Sequence, residues 1–267
     1  MSETPNLRDT FDTRAESYDE ARPDYPSELF SDLLSLVDLP DDPLILEIGS
    51  ASGKATRPLA RMGFRMIALE LGANLAAKAF RDLTVYPNVE IINSSFEEWE
   101  CSDETFDLIY AANSWHWLNP DLRYDKTSRL LRGGGSLAFW EASHAFPTGF
   151  DPFFEEIQDV YDEIGESKGE PWPPPTPDRV SDSADEIHAT GWFDRVDVRR
   201  YVWELEYTAD EYIRLLETFS GHIAMPEESR NTLYTAIRER IAERPGSRIK
   251  RHWQSTLHVA RRVSPHS

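Results

Sequence analysis

Residues Leu44 to Gly53 join an apolar run, an acid and a glycine-spaced turn. The run has the length of a buried strand, and Glu47 stands near its carboxyl end. Gly49 and Gly53 bracket a turn that opens a helix. Bare backbone and a helix N-terminus at such a turn suit a charged, ribose-bearing ligand. A second apolar run follows, Arg65 to Leu69, and ends in another acid, Glu70. At a spacing of about 20 residues a carboxylate stands beside the ligand's ribose hydroxyls. Ala51 lies between the two glycines, so the full three-glycine dinucleotide pattern is lacking. An ordinary strand-turn-helix, with a glycine for close packing, would use the same residues.

These residues need strands and helices to hold them. Ser27 is the expected N-cap of a helix with Leu29, Phe30, Leu33, Leu34 and Val37 on one face. Prolines 40 and 43 end it and lead into the first strand. Ser52 or Gly53 opens the next helix, with Leu59 and Met62 inward and Gly63 as its C-terminal glycine. Strands are expected at 65–70, 89–93, 106–111 and 135–141, and helices near 74–83 and 120–131. Such alternation means crossover units and a mainly parallel sheet. Further on, the pattern predicts a helix over 152–164, a proline-rich loop at 171–175 and a strand over 195–206. Thr208 and Glu211 form a capping box ahead of a helix carrying Tyr212, Leu216 and Phe219. Another helix follows Pro226, and residues 252–263 read as a final strand.

Composition narrows the function. A chain of 267 residues can bury a full core. No run of 18 apolar residues exists, so no membrane span is expected. Met1 to Pro5 lack the basic and apolar regions of a signal peptide. Cys101 is the single cysteine, which excludes an internal disulfide and a cysteine metal cluster. No metal site is expected, and the cytoplasm is the expected location. The net charge is −20, from 48 acidic and 28 basic residues, only five of them lysines. That balance fits a high-salt cytosol or simply an acidic protein. It disfavours nucleic acid, whose phosphates need clustered Lys and Arg. The most basic stretch, Arg248 to Arg251, reads as strand flank rather than a phosphate site.

Leu44 to Gly53, then Ala68-Leu69-Glu70, then Phe106 to Ile109 followed by His116-Trp117, occur in one order along the chain. In that order they resemble the class I S-adenosylmethionine-dependent methyltransferases, and most closely the small-molecule "type 11" group. Phe11, Ala15, Tyr18, Asp19, Arg22, Pro23, Tyr25 and Pro26 resemble the segment with which members of that group often begin. The resemblance covers residues 8–142 well and the rest loosely. It implies an α/β fold: a Rossmann-like seven-stranded methyltransferase sheet, mainly parallel with its last strand antiparallel, and a helical cap insertion. The expected division is one domain over 1–267, with a lid segment at 1–26 and a cofactor-binding core at 27–143. Residues 144–267 hold the rest of the sheet and a helical cap at about 207–245.

The resemblance also implies roles. Glu47 matches the acid that orients the glycine loop and the methionine part of the cofactor; as a strand-end carboxylate it could equally cap backbone amides. Gly49 and Gly53 permit close approach, while Ala51 stands where the family has glycine, at a cost of about 1 kcal/mol if φ is positive there. Glu70 becomes the ribose acceptor, and Leu71 packs on the adenine. Ser95 replaces an aspartate that contacts the adenine amino group in many relatives. Phe96 can offer its backbone amide and stack, or can be a core aromatic with Trp99. Tyr18 and Arg22 resemble lid residues that close over the cofactor, although helix-end packing and a surface ion pair would also explain them. Asn113 sits at the rim where such sheets bind ligands. His116, between Trp115 and Trp117, is a candidate base or a satisfied structural histidine, and Trp140 and Glu141 are candidates for the acceptor pocket.

Methyl transfer is an in-line displacement in which the protein mainly positions the acceptor and excludes water. The expected function is therefore methyl transfer from S-adenosylmethionine to a small organic acceptor, with no nucleic-acid or membrane partner. The alternative is an inactive S-adenosylmethionine-binding regulatory protein. A nicotinamide dehydrogenase is disfavoured, because no Tyr-x-x-x-Lys pair accompanies the turn.

Overall fold

A computed structural model of the protein describes residues 21–167 and 172–263. In chain order its first elements are α1 (Ser27–Leu36), β1 (Leu44–Ile48), α2 (Thr56–Arg61), β2 (Arg65–Glu70), α3 (Ala73–Leu83) and β3 (Val89–Asn93). Next come β4 (Phe106–Ala112), α4 (Arg123–Leu130), β5 (Leu131–Trp140), β6 (Ala142–Ala145), α5 (Phe153–Glu156), α6 (Gln158–Glu163) and α7 (Ala184–Ala189). The last are β7 (Phe193–Tyr207), α8 (Ala209–Leu216), α9 (Ser220–Ala224), α10 (Glu227–Ala242) and β8 (Ile249–Arg262). Two compact units divide these residues: 24–142, 181–201 and 255–263 in one, and 21–23, 143–180 and 202–254 in the other.

The sheet runs β3-β2-β1-β4-β5-β8-β6, with β7 paired to β8. β1 pairs in parallel with β2 and β4, β2 with β3, and β4 with β5, while β5 and β8 are antiparallel. This is the mainly parallel, Rossmann-like sheet expected, with one strand more. The added strand is β6, four residues too short and too mixed to announce itself by periodicity.

The central strands are buried on both faces, so they read as continuous apolar runs. Alternate residues serve two cores. Leu46, Ile48, Phe106, Ile109, Leu137 and Phe139 join Trp115, Tyr124, Ile187 and Phe193 in one. Ile45, Leu108, Tyr110, Ala138 and Trp140 join Leu29, Phe30, Leu33 and Leu59 in the other. This is the two-residue period of a strand.

β5 starts at Leu131, four residues before the expected 135, because Leu131 pairs with Phe106 ahead of a register shift. Glycines 133–135 carry the shift; a Cβ on Gly135 would lie 3.0 Å from the Arg132 carbonyl. Asp107 ties the strand starts together, accepting from the Leu44 amide at 2.8 Å and from Arg132 at 3.1 Å. α2 begins at Thr56, later than Ser52 or Gly53, because residues 51–55 form turns. Gly63 ends α2 as expected, at φ 87°.

In the other unit, residues 152–164 divide into α5 and α6 rather than one helix. The Thr208–Glu211 capping box is formed in full. Among the described residues, no helix is long and apolar enough to cross a membrane.

Candidate functional site

In this strand order the chain reverses direction across the sheet between β1 and β4. Ligands of open α/β sheets bind in the crevice outside the carboxyl ends of such strands. The glycine turn leaves β1 at that point. The amides of Gly49 and Ser50 both donate to the Leu69 carbonyl at 2.9 Å, which holds the turn against the end of β2. Gly49, Ala51 and Gly53 all have positive φ, at 72°, 49° and 87°. A Cβ on Gly49 would stand 2.6 Å from the Ser114 Cβ, so glycine is required for space as well as for conformation.

Glu70 closes the turn from β2. Its Oε2 accepts from the Ala51 amide and its Oε1 from the Gly72 amide, both at 2.7 Å. Asn93 fixes the same corner by donating to the Glu70 and Leu71 carbonyls at 2.8 and 2.9 Å. Leu71, the next residue, is 40% exposed.

Glu47 plays the other part. It is 1% exposed, and its Oε2 accepts from the Thr56 hydroxyl at 2.5 Å and the Tyr110 hydroxyl at 2.7 Å. Burial raises its pKa to about 7, against the pull of those two hydrogen bonds and with a push from the Glu70 charge. Its Oε1 and the Ser50 hydroxyl are buried without a partner. Thus Glu70, not Glu47, is the acid that caps backbone amides. Sequence reasoning missed Thr56 and Tyr110. Tyr110 sits opposite Glu47 in the β1–β4 register, and a tyrosine in an otherwise apolar buried strand needs a hydroxyl partner, which was the available signal.

At the end of β4, Asn113 has φ 58°. Its side chain donates to the Tyr25 hydroxyl at 2.8 Å and accepts from the Ala142 amide at 2.6 Å. Asn113 therefore fixes strand ends with groups that were expected to meet a ligand. His116 lies on a single helical turn just beyond, and its Nδ1 is 2.6 Å from Glu141 Oε1. The two side chains are 45% and 50% exposed. Trp115 and Trp140 are packed in the cores. Trp115 stacks on Phe139 at 4.9 Å, and Trp140 stacks on Tyr110 at 5.5 Å, both buried because their rings complete the two cores.

The Ser95 hydroxyl accepts from the Glu98 amide at 3.1 Å, as a turn cap. The Phe96 ring is buried in the core beside Trp99 and Phe106, with the Lys126 ammonium 5.3 Å from its centroid. Stacking by that ring on a ligand is replaced by core packing; only its backbone remains for adenine. Arg22, in the other unit, donates to the Thr218 hydroxyl at 2.8 Å and carbonyl at 3.0 Å, with its guanidinium over Phe219. Tyr18 lies outside the described residues.

A methyltransferase-domain family model matches residues 45–135, which hold the turn, Glu70, Asn113 and His116. Over that stretch the chain is similar to a methyltransferase domain. A candidate methyltransferase of Dictyostelium discoideum is 35% identical over 132 residues, 49% of this chain and 48% of that one, so the match spans about half of each. An uncharacterized methyltransferase of Schizosaccharomyces pombe is 24% identical over 88% of both chains. A solved candidate type II methyltransferase from Anaeromyxobacter dehalogenans shares the fold, with a TM-score of 0.64 at 22% identity, covering 92% of this chain and 99% of that one.

S-adenosylmethionine is the cofactor that this similarity implies, and the residues present fit it. Two buried polar atoms, Glu47 Oε1 and Ser50 Oγ, lack partners at the turn. The turn has no bulky side chain at Gly49 or Gly53, an acid stands at its edge, and Leu71 offers an exposed apolar face beside that acid.

Proposed function

We propose that this protein is a methyltransferase that acts on a small organic molecule and that the turn between β1 and α2 holds its cofactor, S-adenosylmethionine. The observation that carries the reading is the joint of Glu70 to the Ala51 amide at the β1–β4 switch point. Gly49, Ala51 and Gly53 admit the cofactor to the backbone, with Glu47 behind them. Glu70 accepts the ribose hydroxyls, Leu71 covers the adenine, and Ser95 with the Phe96 backbone borders it. Asn113 holds the β4 end in place. When bound, S-adenosylmethionine supplies an activated methyl group on a sulfonium, so the protein's task is orientation and exclusion of water.

His116 is the candidate base. With Nδ1–H donated to Glu141, the neutral ring keeps its Nε2 lone pair for a proton from the acceptor. The net charge of −20 repels polyanions and favours small acceptors over nucleic acid.

Calorimetry with S-adenosylmethionine and S-adenosylhomocysteine, at low and high salt, tests the cofactor site; binding of neither overturns it. Mass spectrometry of an acceptor panel incubated with S-adenosylmethionine tests the rest. Methylated small molecules support it, whereas cofactor binding with no turnover on any small molecule favours a regulatory protein.

A further inference from the structure

The second unit contains a cation that no acid among its described residues neutralises. Arg251 points inward from β8, where residues 249, 251, 253, 255 and 257 alternate toward the interior. It is 4% exposed. Its guanidinium carbon lies 4.3 Å from the Trp253 ring centroid and 5.5 Å from that of Phe219. Among the described residues no carboxylate pairs with it, and its Nε is buried without a partner. The charged or titratable groups that act on it are Tyr212, Tyr207 and Tyr161, together with Arg22, a like charge, and the buried His144, whose pKa its charge helps to lower. Buried arginines are ordinarily matched by an acid, because burying an uncompensated charge costs free energy. Among the described residues no acid is used for it.

The hydroxyls around it are poised to donate. Tyr207 accepts from the Trp253 indole N–H at 3.0 Å, which leaves its own proton free for another partner. The Tyr212 phenol lies in the field of the Arg251 charge. One guanidinium fork and two phenols amid aromatic rings match a planar single charge on an apolar body. No lysine joins them, as a phosphate dianion would favour; Lys250, the adjacent residue, points outward to Glu204 at 3.0 Å.

We propose that Arg251, with the hydroxyls of Tyr207 and Tyr212, binds the carboxylate of a small organic acid with an apolar or aromatic body. The site lies within the second unit and is tested there by binding alone.

The experiment uses the full chain and follows thermal unfolding and calorimetry with benzoate, cinnamate, their uncharged amides and inorganic phosphate. The acids are expected to bind and raise the unfolding temperature, and the amides to do neither. Arg251→Lys keeps the charge but loses the fork, and should bind the acids about tenfold or more weakly, the scale of one charged hydrogen bond. Arg251→Met should abolish binding. Without ligand it should be at least as stable as the parent, since a buried unpaired charge is gone; a purely structural arginine would make it less stable. Should Arg251→Met fail to fold, the acid–amide contrast and Arg251→Lys still decide. Equal binding of acid and amide, unchanged binding in Arg251→Lys, phosphate outcompeting the acids, or no binding of either acid overturns the site. S-adenosylhomocysteine titrated into the same samples separates the two readings. Its binding without that of the acids sinks only the carboxylate site, and the reverse sinks only the cofactor reading.

Discussion

The backbone amide of Ala51 donates to Oε2 of Glu70 at 2.7 Å, across 19 residues of chain. This bond makes the strand-end acid part of the turn as well as a candidate ligand group. An alanine at φ 49° is held in the left-handed region by a charged acceptor. Affinity and local stability are therefore coupled at this corner.

Replacing Glu70 should move both. Glu70→Ala leaves the Ala51 and Gly72 amides without their acceptor and should cost about 1–3 kcal/mol of stability by urea unfolding. It should also weaken S-adenosylhomocysteine binding by a similar amount in calorimetry. A stability loss with an unchanged dissociation constant would leave Glu70 as a turn cap and nothing more.

At position 51 the expected sign is reversed. The left-handed conformation costs alanine roughly 1–2 kcal/mol, and glycine's extra freedom in the unfolded chain takes back about 0.5–1 kcal/mol. Ala51→Gly should thus be neutral to slightly stabilising, and cofactor affinity should hold or improve. Gly49→Ala should do the opposite, since its Cβ would meet the Ser114 Cβ at 2.6 Å. A marked loss in Ala51→Gly would mean that the alanine methyl itself packs against the ligand.

The parts of this site that could be read in the sequence are those with a strong local signature. The β1 run, the glycine turn and Glu70 each depend on residues within a few positions, and the capping box at Thr208 and Glu211 does too. What escaped depends on distant pairing. The Tyr110–Glu47 bond spans 63 residues and exists only through the β1–β4 register. Asn113 looked like a ligand group because it stands at the rim, yet its amide is committed to Tyr25, 88 residues away. Trp140 and Phe96 carry no mark that separates a pocket wall from core. Arg251 was hidden in the same way, since strand alternation turned that one residue of a basic stretch inward.

His116 and Glu141 should act on turnover rather than on cofactor binding. With any acceptor the panel yields, His116→Ala should lower kcat by roughly a hundredfold, the scale of lost general-base catalysis. Glu141→Gln should lower it less, because it only orients the ring. S-adenosylhomocysteine affinity should be unchanged in both. If kcat survives in His116→Ala, the dyad is a surface pair and no base is needed.

Two buried groups give the protein opposed pH dependences. Glu47 has a pKa raised from 4.5 to about 7 by burial. Between those values the folded state keeps a proton that the unfolded chain releases. The stabilisation is complete below about pH 4.5 and is lost as pH rises through 7, in all about 3 kcal/mol at about 1.4 kcal/mol per unit. His144 runs the other way. Burial, with the charge of Arg251 behind it, lowers its pKa from 6.5 to about 2, and its Nε2 is buried without a partner. The unfolded chain binds the proton that the folded state refuses, so stability falls as pH drops below 6.5. Between pH 4.5 and 6.5 the two slopes offset each other in cooperative unfolding. Urea titrations across that window should therefore separate the variants. Glu47→Gln should become more stable as pH rises, because only His144 is left. His144→Phe should become less stable as pH rises, and the double variant should lose both slopes. Parallel profiles for the two single variants would show that at least one of these groups titrates normally in the folded protein.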